Sequence, residues 1–174
     1  HAELLGTAAG PALNLLCGCF LGRAAPVFAA ASLLLGAFNL LPLWPLFDPT
    51  EGRYAECARE TQLNGDWDDP ILDGQPHWTK PPLTYAAIMA GTKLFGENPW
   101  GVRAYLVAAL VLATAAVWWT GVSIWGPAAG RWAGLVFATS PAIAVAAHAV
   151  STDMLVMLWS ALALAAYWHG RAAR

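Results

Sequence analysis

Charged residues divide the chain into long apolar stretches at 4–22, 24–47, 104–130, 132–152 and 154–170, with one polar segment between the second and third. A helix needs roughly 20 apolar residues to cross the bilayer core, with a working range of about 17–25. The pattern therefore predicts transmembrane helices over 24–47, 104–125, 132–150 and 154–170. The N-terminal apolar segment, 1–23, is interrupted by Gly6, Gly10, Pro11 and Gly18. Its stretch 4–20 is open to three readings: a fifth span, an interfacial element or a signal-like element. The fold class expected is all-α integral membrane. It has four transmembrane helices, or five, and a large external loop over 48–103 that carries amphipathic interfacial helices.

Within that loop the pattern changes character. Tyr54, Cys57, Ala58 and Leu63 recur at near-helical spacing and predict a short amphipathic helix over 49–63. Asp48, Pro49 and Glu51 read as its start: an N-cap, a proline at the first helical position and the acid of a capping box. Residues 64–76 are turn chemistry throughout. Pro81 and Pro82 then force an extended approach to the apolar run 83–92, which is too short to span and is expected at the membrane interface.

Charge sharpens this picture. The chain has 174 residues, of which 9 are Lys or Arg and 11 Asp or Glu, and 14 of these 20 charges lie between Asp48 and Arg103. The other 118 residues carry Glu3, Arg23, Arg131, Asp153, Arg171 and Arg174. So few charges cannot cover a soluble surface, which excludes a soluble enzyme and a disordered chain, and the net charge of -2 argues against nucleic acid as a partner. If the four helices alternate, Arg23, Arg131, Arg171 and Arg174 all fall on one side, which the positive-inside rule makes cytoplasmic. The 48–103 loop, with nine acids and five bases, then faces the periplasm. Tryptophans 44, 100, 118, 119, 125, 132 and 168 cluster near predicted helix ends, as interfacial belts do.

Several residues are candidates for chemistry, each with a plainer reading beside it. Asp48 and Glu51 cap a helix, or act as carboxylates on a substrate at the lipid–water boundary, next to Arg53 and Arg59. Lys80 snorkels at the interface, or neutralises a lipid phosphate. Asp153, after His148 and Ser151, caps the last helix or joins the external site as an intramembrane acid. His77, beside Trp78, reads as a packing or hydrogen-bonding residue, and Cys17, Cys19 and Cys57 show no disulfide framework. Asp66, Asp68, Asp69 and Asp73 miss the spacing of a calcium loop, and no histidine has a second ligand at zinc spacing. No metal site is assigned, and neither a divalent metal nor another cofactor is indicated by the sequence.

The run from Asp48-Pro-Thr-Glu-Gly-Arg-Tyr-Ala-Glu through Asn64-Gly-Asp-Trp, Leu72-Asp-Gly-Gln-Pro, Lys80-Pro-Pro-Leu-Thr-Tyr and Leu94-Phe-Gly to Gly101-Val-Arg-Ala resembles the first external loop of bacterial GT-C glycosyltransferases. The relevant branch includes the lipid A aminoarabinose transferase and the protein O-mannosyltransferases. Ser151-Thr-Asp-Met is similar to that family's acid at the start of its fourth helix. The resemblance covers roughly residues 25–170, the N-terminal part of such an enzyme. It implies an inner-membrane protein, with lipid bilayer and a polyprenyl-phosphate-linked sugar as partners and transfer to an acceptor on the external face.

Carried over residue by residue, it implies Asp48 and Glu51 as the acid pair, Asp153 as a further acid, and Arg53, Lys80 and Arg59 as partners of the donor phosphate. Thr50 precedes Glu51 where many members carry Asp, so whether Asp48 or Glu51 replaces that aspartate stays open. Thr79 precedes the lysine where Glu is frequent. A second reading is a non-catalytic membrane subunit that keeps the fold and packs against other subunits.

Overall fold

A computed structural model describes Pro45 and Leu46, residues 49–65 and residues 67–172. Asp48, the N-terminal stretch 4–20, the predicted span at 24–47 apart from Pro45 and Leu46, Arg23 and Arg174 lie outside the described residues. The described chain is mostly helical. It comprises α1 (Thr50–Asn64), a two-stranded hairpin of β1 (Ile71–Leu72) and β2 (Gln75–Pro76), α2 (Pro82–Phe95), α3 (Pro99–Trp125), α4 (Pro127–Thr139), α5 (Pro141–Ala146) and α6 (Asp153–Ala172).

Helix α3 organises the rest: α2, α4 and α6 all pack on it, and α1 packs on α2 and β1. Asn98 starts α3. Its Oδ1 accepts the Gly101 N–H at 2.9 Å and its Nδ2 donates to the Phe95 carbonyl at 2.7 Å, with Pro99 pre-set for the first turn. The start at Pro99 places Arg103 inside a helix rather than at the end of a loop. Close approach of α2 and α3 depends on glycine, since a Cβ on Gly91 or Gly101 would lie 2.2 Å from a backbone oxygen of the other helix or its lead-in. One core results, in which Tyr54 and Cys57 of α1 join Tyr85 and Ile88 of α2, Leu106 and Ala109 of α3, and Met154 and Leu158 of α6.

Two sequence expectations change. The continuous helix predicted over 132–150 is divided at Ser140-Pro141 into α4 and α5. Ser140 is extended (φ -59°, ψ 128°), the conformation that a following proline imposes. The capping box is also not formed. Pro49 occupies the N-cap position without a side-chain cap, and Glu51 turns inward to another partner.

Among the described residues α3 is the one helix long and apolar enough to cross a membrane. Its outward side chains include Leu112, Trp118 and Trp119, and those of α6 include Val156, Trp159 and Leu164. Large apolar groups turned outward on adjacent helices suit contact with lipid rather than water.

Candidate functional site

Two groups of charges flank the first turn of α1, and they are built differently. Glu51 and Arg103 are 3% and 2% exposed. The Arg103 Nη2 donates to Glu51 Oε2 at 2.5 Å and to the Pro45 carbonyl at 3.1 Å, and its Nε donates to Glu51 Oε1 at 3.3 Å. Glu51 Oε1 also accepts the Val150 N–H at 2.8 Å. Beside it, the Tyr105 hydroxyl donates to the Ser151 carbonyl at 2.8 Å. This ion pair thus ties together the lead-in to α1, α1 itself, α3 and the segment before α6. Burying the two charges is costly, and the near-complete set of hydrogen bonds is what offsets that cost.

Arg53, two residues on from Glu51 and so on the other side of α1, is exposed and lines a cavity of about 260 Å³ with Thr50, Tyr54, His77, Thr79, Lys80 and Tyr85. Lys80 reaches it by way of the hairpin. Asp73 and Gly74 both have positive φ (54° and 69°), the tight-turn geometry that an Asp-Gly pair favours between two strands. The Glu60 carboxylate accepts both of their N–H groups at 3.2 and 3.1 Å, and Thr61 Oγ1 accepts that of Ile71 at 3.0 Å. Closing the hairpin, the His77 N–H donates to the Pro70 carbonyl at 2.6 Å. The hairpin is therefore strapped to the last turn of α1, and the chain leaving it brings His77, Thr79 and Lys80 back to the first.

The floor of this cavity is aromatic. Tyr85 is buried with its ring centroid 5.9 Å from that of Tyr54, and burial pushes its phenol up to about 12. Burial likewise raises the thiol of neighbouring Cys57. Among the described residues neither Arg53 nor Lys80 has an ion-pair partner. Two cations, an imidazole and several hydroxyls around one small cavity give it the charge and the donors that an anion such as a phosphate group requires.

The other sequence candidates are placed differently. Arg59 does not join Arg53 and Lys80: it pairs with Glu56 at 2.5 and 2.9 Å and lines a separate cavity of about 350 Å³ between α1 and the α2–α3 junction. Its hydrogen bond to Glu56 holds that carboxyl below its usual range. Asp153 is exposed in the first turn of α6, where the helix dipole favours an acid, and its N–H donates to Ser151 Oγ at 3.2 Å. Ser151 in turn lines a third, largely apolar cavity of about 640 Å³ with Thr50, Glu51, Val145, His148, Ala149 and Val150. Thr50 is thus common to the cationic cavity and this apolar one. Among the described residues no three His, Cys, Asp or Glu side chains gather as a metal site would.

Arg103, which lies in the Gly101-Val-Arg-Ala motif, is not among the site residues that the sequence pattern predicts. An arginine flanked by Val102 and Ala104, at the edge of an apolar stretch, is itself the signal of a buried partner. His77, expected as a packing or hydrogen-bonding residue, does hydrogen-bond to Thr79 and also lines the cavity with the two cations.

With this geometry in place, residues 79–173 match the model of the dolichyl-phosphate-mannose-protein mannosyltransferase family. The chain belongs to that family. It is similar to the undecaprenyl phosphate-α-4-amino-4-deoxy-L-arabinose arabinosyl transferase of Pseudomonas aeruginosa strain LESB58, with 34% identity over 149 residues, covering 82% of this chain and 27% of the relative. In shape, this mannosyltransferase-family chain matches the crystal structure of ArnT from Cupriavidus metallidurans in the apo state, with TM-score 0.74 and 28% identity over 80% of this chain and 26% of that one. The ArnT structure bound to undecaprenyl phosphate gives TM-score 0.76 and 27% identity, covering 83% and 27%. The chain spans about a quarter of the length of the relatives it matches.

Proposed function

We propose that this chain carries the donor-phosphate site of a membrane glycosyltransferase. The enzyme would take a sugar from an undecaprenyl-phosphate-linked donor and pass it to an acceptor at the external face of the bacterial inner membrane. The observation that carries the reading is the meeting of Arg53 and Lys80 in one cavity, with no ion-pair partner for either among the described residues. Family membership and likeness to a structure bound to undecaprenyl phosphate support the same chemistry. In the topology we propose, α3, the α4–α5 pair and α6 cross the bilayer. Arg131 and Arg171 are then cytoplasmic and the 48–103 loop periplasmic.

In this reading Arg53 and Lys80 hold the phosphate and stabilise the charge that builds on it as the sugar departs. Asp48 and Asp153 are assigned as the acids that accept the proton of the attacking hydroxyl. Glu51 is assigned to positioning. Its oxygens already accept from a guanidinium and a backbone N–H, so it fixes the first turn of α1 and with it Thr50 and Arg53. Arg59, occupied by Glu56, is left out of the phosphate site.

Transfer of sugar from an undecaprenyl-phosphate donor, measured in membranes that hold the intact protein, is the test. Lys80→Ala, Arg53→Ala and Asp153→Asn are each expected to lower it by at least about tenfold, the scale of one lost charged contact in the transition state. Undiminished transfer by all three variants would contradict the assignment.

A further inference from the structure

His77 is held more firmly than a solvated loop residue requires. Its backbone N–H is fixed to Pro70, its ring Nε2 lies 2.7 Å from Thr79 Oγ1, and its ring meets Tyr85 edge-on with centroids 6.5 Å apart at 68°. Tyr85 cannot give way, because it is buried and packed on Tyr54. The imidazole is half-buried and lines the same cavity as Arg53 and Lys80. With Nε2 engaged by Thr79, Nδ1 is the ring nitrogen left for a ligand, and it makes no hydrogen bond among the described residues.

We propose that His77 is a third phosphate contact. It would donate the Nδ1 N–H to a phosphate oxygen of the lipid headgroup, with Thr79 selecting that tautomer. The chemistry is one of donors and acceptors. A neutral imidazole carries one N–H and one lone pair, and an anion needs the N–H. When the Thr79 hydroxyl donates to Nε2, the ring proton resides on Nδ1. Thr79 thereby acts through His77 as a positioning residue; the backbone bond to Pro70 fixes where the side chain starts, and the contacts with Thr79 and Tyr85 hold the ring. The site then offers a planar guanidinium, an ammonium and a directional neutral donor. The third adds orientation, where the first two supply attraction.

This inference rests on the phosphate reading of the cavity, and the experiment separates the two. Undecaprenyl phosphate is titrated against the intact membrane protein in lipid nanodiscs. Asparagine places its side-chain N–H near the position of Nδ1, and glutamine places it near Nε2. His77→Ala is expected to weaken binding about tenfold, as loss of one hydrogen bond to a charged group does. His77→Asn is expected to stay within about threefold of wild type, His77→Gln to match the alanine variant, and Thr79→Val to fall between. Binding unchanged in His77→Ala, an equal loss in all three His77 variants, or rescue by glutamine rather than asparagine would each overturn the role of Nδ1 while leaving the cavity's own assignment intact. Failure of the wild type to bind, or binding that survives Arg53→Ala and Lys80→Ala together, would overturn both.

Discussion

The two charge groups on either side of Thr50 answer opposite needs. Glu51 and Arg103 are buried, joined to each other and bonded to two backbone groups, so almost nothing remains to offer a ligand. Arg53 and Lys80 are exposed and, among the described residues, share a cavity without a neutralising carboxylate. Glu51 and Arg53 stand two residues apart in one helix, which puts them on opposite sides of α1; the first joins α1 to α3 and to the segment before α6, and the second is left open. The contrast shows how charge can be divided in a protein poor in it. Ion pairs that close on themselves hold the scaffold, and the cations they leave over are available for recognition.

The sharpest way to break that contrast is to remove Arg103. Arg103→Ala leaves the Glu51 carboxylate buried without its cation, and a loss of about 3–5 kcal/mol in unfolding free energy is expected. Unfolding of the purified protein in detergent would measure it. Replacing both partners by apolar residues, as in Glu51→Leu with Arg103→Met, is expected to recover most of that loss. If the single and double variants were equally destabilised, the pair would not be the element that joins these segments.

A smaller effect should come from the aromatic floor of the open cavity. Tyr85 is raised from 10.0 to about 12, so the folded state keeps its proton where the unfolded chain loses it. The stability this contributes is complete below pH 10 and is lost as pH rises towards 12, by about 2 kcal/mol over the whole interval. Tyr85→Phe is expected to remove that alkaline dependence, seen as a flatter unfolding profile between those pH values.

The smallest effect is expected at Arg59. It is exposed, and its pair with Glu56 spans one turn of one helix. Arg59→Ala should leave both stability and lipid binding unchanged within error, as exposed pairs usually do. A clear loss of undecaprenyl phosphate binding in this variant would return Arg59 to the phosphate site and blur the division drawn above.

What could be read in the sequence follows the range of each interaction. The helix over 49–63, the turn-rich segment after it and the grouping of Arg53 with Lys80 were legible, because spacing and a specific ordered motif carry them. The Glu51–Arg103 pair was not, because 52 residues separate partners that meet only once α2 has brought α1 and α3 together. The division of 132–150 was legible in Ser140-Pro141 but hidden by reading apolar length and charge alone. The same holds for the hairpin, where Asp73-Gly74 sits between Leu72 and Gln75 and the strands are two residues each. The position of His77 beside the cations depends on Glu60 and Thr61 gripping that hairpin, and no local pattern announces it.

The central claim is that the cavity holding Arg53 and Lys80 receives the phosphate of a lipid-borne donor. Titrating undecaprenyl phosphate into nanodiscs that contain the intact protein, and then its Arg53→Ala, Lys80→Ala double variant, tests it most directly. The account predicts saturable binding by the wild type that weakens at least about a hundredfold in the double variant, while the unfolding profile stays that of the wild type because the Glu51–Arg103 pair is untouched. Binding of equal strength in the two proteins would contradict it.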